Sequence, residues 1–222
     1  MPSKNKSVVV QSQPNITFGA VLVSSYIFWV LYRFLFNFPV LFDEAIGKAI
    51  FFGIPILIYL NVSRNQEIIN SVDLQKLFSG LLRGLAYGGV LGFVALIFFS
   101  IKNQKSFFSL PLFITDGFFI ELFLAMLTAF WESLFFFGFI QTVFFALLKN
   151  KIGKTILFSS ITFLIFNLPS IMLRFTGIDI VFMVFLMFLF GFGQSILFSQ
   201  EKNIYPLIIT HTVWGMILLL HF

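Results

Sequence analysis

Residues 122–148 read LFLAMLTAFWESLFFFGFIQTVFFALL and contain one formally charged side chain, Glu132. A carboxylate at mid-bilayer costs on the order of 3 kcal/mol on insertion scales. Side chains that expensive face a protein interior and carry function. The stretch therefore reads as membrane-embedded, with Glu132 as its functional group.

Composition outside this stretch agrees. The 222 residues are 59% hydrophobic and 10% charged, with mean hydropathy +1.01. Soluble domains carry about a quarter charged residues, so the chain is an integral membrane protein. The absence of cysteine excludes disulfides, a thiol nucleophile and a cysteine-ligated metal. The net charge is +5, but its basic residues lie mostly in short gaps between apolar runs. That pattern flanks membrane helices and offers no nucleic-acid face. Residues 1–16 form a polar tail, and the apolar run after it exceeds a signal h-region of about 7–15 residues.

A span needs about 20 apolar residues. Candidates are 17–38, 46–60 (interrupted by Pro55), 80–101, 156–172 (broken at Pro169), 178–198 and 204–222, the last opened by Pro206. Residues 110–148 are too long for one span and read as two helices meeting at or just before Glu132. The fold class is all-α: a polytopic membrane protein, a single domain 1–222 with about eight transmembrane helices. Residues 61–78 make the clearest loop, and 199–203 a tight turn. Gly80, Gly84, Gly88 and Gly92 recur every fourth residue and drift about 40° per step. They form a small-residue stripe for close helix packing. Lysine and arginine counted along this topology are nearly equal on the two sides, which fixes no orientation.

Ionisable groups sit in or at the edges of these runs. Arg33, Arg83 and Asp116 lie near helix ends and can snorkel to the interface. His221 is penultimate and meets water. Glu121 and Glu132, eleven residues apart, would share a face of one continuous helix about 16 Å apart along its axis. That separation makes Glu121 at most a support residue. Glu132 and His211 differ, for both lie inside their runs without a sequence-local partner. Asn167 sits in an apolar helix where an amide needs partners. These three suggest a shared polar site on separate helices.

The same positions resemble the CPBP (ABI) intramembrane proteases, the CAAX prenyl-protease and bacteriocin-processing group. Their motifs are Glu-Glu-x-x-x-Arg, often followed by Gly, then Phe-x-x-x-His, then His-x-x-x-Asn or His-x-x-x-Asp. Here Glu132…Gly138, Phe163…Asn167 and His211…Gly215 follow that order and spacing, and the similarity spans about residues 75–222. The chain departs from the motifs at Ser133, Phe137, Asn167 and Gly215.

The resemblance implies hydrolysis of peptide bonds in membrane-associated, CAAX-like substrates. Glu132 is then the base that activates water, His211 a donor or orienter, and Asn167 a neutral donor in place of a histidine. It implies as partners membrane lipids and a peptide or membrane-anchored protein substrate, with no nucleic acid, in the cell (plasma) membrane. A catalytic zinc wants three protein ligands plus water. Glu132 and His211 would be the ligands of any such ion, but they supply two and the Asn167 amide is a poor third. A divalent metal such as zinc is thus only weakly supported, and water activated directly by Glu132 is favoured. The departures point to a different outcome, a catalytically inactive homologue acting as a binding, immunity or scaffold protein. A transporter would show polar stripes along several helices, whereas this chain has isolated polar points.

Overall fold

The computed structural model describes residues 6–103 and 117–221, with side chains for 15–94, 96–97 and 117–217. Seven long helices run through it: α1 (Lys6–Leu35), α2 (Val40–Ser63), α3 (Leu77–Asn103), α4 (Phe118–Leu147), α5 (Ile152–Arg174), α6 (Ile178–Glu201) and α7 (Tyr205–His221). No strand occurs among the described residues. Six stretches are long and apolar enough to cross a membrane: Asn15–Leu35, Val40–Ser63, Gln66–Val94, Phe118–Leu147, Ile152–Arg174 and Ile178–Glu201. At 17 residues, α7 reaches the lower limit for spanning. Large apolar side chains such as Phe34, Phe78, Phe119 and Phe185 point outward, as a lipid-facing surface requires. The protein is a multi-pass, all-α integral membrane protein.

Four expectations change. The break near Glu132 is absent, because α4 runs continuously and changes to π-helical winding over Ser133–Gln141. Residues 122–148 contain no proline, aspartate or asparagine to stop a helix, so it extends instead of turning. The second span is longer than 46–60. It begins at Val40 and takes Asp43, Glu44 and Lys48 into its body. Residues 61–78 are largely helical: Asn65 accepts a hydrogen bond from the Glu67 N–H to start a short helix, Gln66–Asn70, and Asp73 does the same for a 3-10 turn, Leu74–Lys76.

Pro169 does not break α5. A proline inside a helix disturbs the local carbonyls, which neighbouring groups can satisfy. Here the Trp29 indole of α1 donates to the Phe166 carbonyl at 2.9 Å. Helix α6 runs to Glu201, into the expected turn 199–203, which closes with Lys202 in the left-handed conformation and Asn203 capping α7 by accepting from the Tyr205 N–H at 3.0 Å.

Buried phenylalanines form the centre. Phe52 of α2 stacks on Phe135 of α4, and Phe136 meets Phe163 and Phe166 of α5 edge-on. The glycine stripe of α3 packs along α7. A Cβ on Gly80 would come within 2.6 Å of Tyr205, and one on Gly92 within 2.9 Å of Ile217 and Val213.

Candidate active site

Glu132 is 6% exposed and sits where α4 passes from α- to π-helical winding. Lys48 lies between two π-helical stretches of α2, Asp43–Gly47 and Ala49–Gly53. Local π winding is common at functional sites. Glycines on either side of Lys48 let α2 approach its neighbours. A Cβ on Gly47 would come within 2.9 Å of the Tyr32 hydroxyl of α1, and one on Gly53 within 2.8 Å of Trp131 of α4.

That approach brings the Lys48 ammonium 2.7 Å from Glu132 Oε1 and 2.5 Å from Glu44 Oε2. The Thr128 hydroxyl of α4 donates to the same Glu44 carboxylate. On the other side of Glu132, its Oε2 lies 3.7 Å from His211 Nε2 of α7. This exceeds direct hydrogen-bond reach but suits one bridging water. The imidazole rests edge-on against Phe190, and its buried Nδ1 has no partner among the described residues. Three helices, α2, α4 and α7, thus meet in one chain of polar groups: Glu44, Lys48, Glu132 and His211.

This chain lies at the floor of a cavity of about 730 Å³. Asn167, Ser170 and Arg174, one face of α5, line its wall, and Glu121 and Asp179 line its outer part. The expected trio therefore shares one space, though not on equal terms. Glu132 and His211 face each other, whereas the Asn167 amide donates to the Phe163 carbonyl of its own helix at 2.9 Å. Glu121 shares the cavity face with Glu132, as a continuous helix requires. Gly215 also lines the cavity, where a Cβ would meet only Ala125 at 3.8 Å.

Other groups fall elsewhere. Arg33 does not snorkel freely, for it pairs with Asp43 and lines the cavity. Arg83 is exposed and pairs with Glu201. Ser133 and Phe137 are fully buried beside the site but do not line the cavity; Phe137 packs on Phe163. Asp116 and the His221 side chain lie outside the described residues.

Sequence reasoning missed Lys48 and Glu44. Their signal was present in the i, i+4 spacing of opposite charges and in a second span of only fifteen residues, short of about 20. Among the described residues, no group of three or more His, Cys, Asp or Glu side chains is arranged to hold a metal ion. Lys48 holds Glu132 Oε1 and the Asn167 amide is engaged by Phe163. The described residues thus offer a divalent ion only Glu132 Oε2 and His211 Nε2, short of the three protein ligands a catalytic zinc takes.

Fold and site together define a polytopic helical membrane protein with a buried acid–ammonium–histidine cluster at the base of a cavity. Residues 114–217 match the family model described as type II CAAX prenyl endopeptidase Rce1-like, a CPBP-family domain, over just under half of the chain. The match covers Glu132, Asn167 and His211 and leaves Glu44 and Lys48 outside. No curated protein and no solved structure matches the chain.

Proposed function

We propose that this protein is an intramembrane endopeptidase of the CPBP type, hydrolysing peptide bonds of membrane-associated substrates in the plasma membrane. The observation that carries the reading is the 3.7 Å gap between Glu132 Oε2 and His211 Nε2 at the floor of a large cavity. Lys48 occupies Oε1 and fixes the carboxylate, leaving Oε2 to take a proton from a water shared with His211. The hydroxide so formed adds to the substrate carbonyl. Glu132 then passes the proton to the departing amine as the C–N bond breaks. An N–H of His211 or Asn167 steadies the oxyanion.

A second reading, a catalytically inactive homologue that binds peptides or partner helices, is favoured by two contacts. Glu132 is already ion-paired with Lys48, and the Asn167 amide is engaged by Phe163. The two readings separate on a panel of membrane-anchored peptides cleaved in proteoliposomes and read by mass spectrometry. Under the peptidase reading, Glu132→Gln lowers cleavage by about 10²–10⁴-fold, and His211→Ala also lowers it, while both variants unfold at temperatures near wild type. Cleavage by Glu132→Gln at the wild-type rate would remove the peptidase reading. A folded wild type that cuts no peptide supports the binding protein.

A further inference from the structure

The seven helices alternate direction, so the two ends of the bundle can be compared for charge. At the end where α1 begins and α2 finishes, the described residues include Lys6, Arg64, Lys76, Arg83, Lys149, Lys151, Lys154 and Lys202. Contacts confirm that these segments meet: Asn203 donates to the Lys76 carbonyl at 3.1 Å, the Ile204 N–H to the Ser71 carbonyl at 3.1 Å, and Arg83 pairs with Glu201. At the opposite end the described residues contribute only Arg33, Lys102 and Arg174. Lys48 belongs to neither end, being buried against two carboxylates. Excess lysine and arginine in short loops marks the cytoplasmic face of a membrane protein.

The cavity opens at the lysine-poor end. Its outer lining comes from Arg33, Val40, Glu121, Arg174 and Asp179, all at or near helix termini on that side. Glu132 lies eleven residues deeper than Glu121, about 16 Å along α4. Toward the lysine-rich end the floor is closed, because Phe135, Phe136, Phe139 and Phe163 are essentially fully buried there.

We propose that the cavity is entered from the face away from the cytoplasm. Its substrates are then loops and termini of membrane-anchored proteins exposed on that face. A peptide at a cytoplasmic C-terminus would meet the closed, lysine-rich end. The identity of the occupant as a peptide rests on the function proposed above; the side of entry does not.

The chain has no cysteine, so single-cysteine variants of the full-length protein report position without background. Thr176 lies in the turn at the cavity end, Gln66 at the lysine-rich end, and Ser170 on the cavity wall. The three are replaced one at a time by cysteine and expressed in a bacterial inner membrane. A membrane-impermeant maleimide is then added to spheroplasts and to sealed inside-out vesicles. Thr176→Cys and Ser170→Cys are expected to label in spheroplasts and to lose labelling in the vesicles, with Gln66→Cys doing the reverse. Labelling after denaturation confirms that each thiol is present. Thr176→Cys and Ser170→Cys reacting only in inside-out vesicles, or all three reacting equally in both preparations, would overturn the proposal. Cleavage plays no part in this readout. Reversed labelling removes the side of entry and leaves the peptidase reading intact, whereas wild-type cleavage by Glu132→Gln does the opposite.

Discussion

Lys48→Met is expected to destabilise the protein by about 3–5 kcal/mol, the cost of removing one partner from a buried ion pair. The Lys48 side chain is 8% exposed and holds Glu44 at 2.5 Å and Glu132 at 2.7 Å. Methionine has nearly the same length and volume, so packing changes little. What disappears is the ammonium that neutralises two largely buried carboxylates. The double variant Lys48→Met/Glu132→Gln is expected to recover part of the loss, because a neutral amide needs no cation. Denaturant unfolding in detergent micelles measures both, and the double-mutant cycle isolates the coupling between the two residues. If Lys48→Met unfolds at the wild-type midpoint, the pair does not exist as drawn.

That pair also shows which parts of the site could be read in advance. Glu132 and His211 were legible because a polar group within an apolar run stands out and must find a partner. The partner itself was not, because hydropathy trims charged residues from span ends and assigns them to the flanks. Lys48 sits eight residues into α2, yet the trimmed span 46–60 left it at the border. The cavity could not be foreseen either, since α1, α2, α4, α5, α6 and α7 all line it and no local pattern encodes their juxtaposition.

Helix α4 gives a second lesson. Hydropathy cannot distinguish one long helix from two shorter ones, so the expected break at Glu132 came from length alone. One turn too many moves every later loop to the opposite side. That error placed Lys149, Lys151, Lys154 and Lys202 across from Arg64 and Lys76, and the two sides then counted as nearly equal. The continuous α4 returns them to one end. By contrast, the glycine stripe of α3 was legible as a packing surface, because its four-residue spacing is a local property of one helix. Its partner, α7, was not.

That stripe sets the other large effect. A Cβ on Gly84 would lie 2.7 Å from the Ile209 Cβ and 2.9 Å from the Pro206 carbonyl oxygen, whereas one on Gly89 meets nothing within 4 Å. Both are helical glycines, so alanine should gain each of them up to about 1 kcal/mol in backbone propensity. At Gly89 that gain stands. At Gly84 it is opposed by overpacking of about 1–3 kcal/mol, and the obstructing atoms include backbone, which cannot rotate aside. Gly84→Ala is therefore expected to lower the unfolding midpoint and Gly89→Ala to leave it equal or higher. Gly84→Leu, with three more carbons in the same gap, is expected to separate α3 from α7. The strain would reach the site, because Gly88 of the same stripe abuts Thr210, the residue before His211. Displacing α7 moves the imidazole while Lys48 holds the Glu132 carboxylate in place, so the 3.7 Å spacing cannot be kept. Gly84→Ala should then reduce cleavage even at temperatures where it remains folded. Equal unfolding midpoints for Gly84→Ala and Gly89→Ala would show that the stripe is not the contact surface.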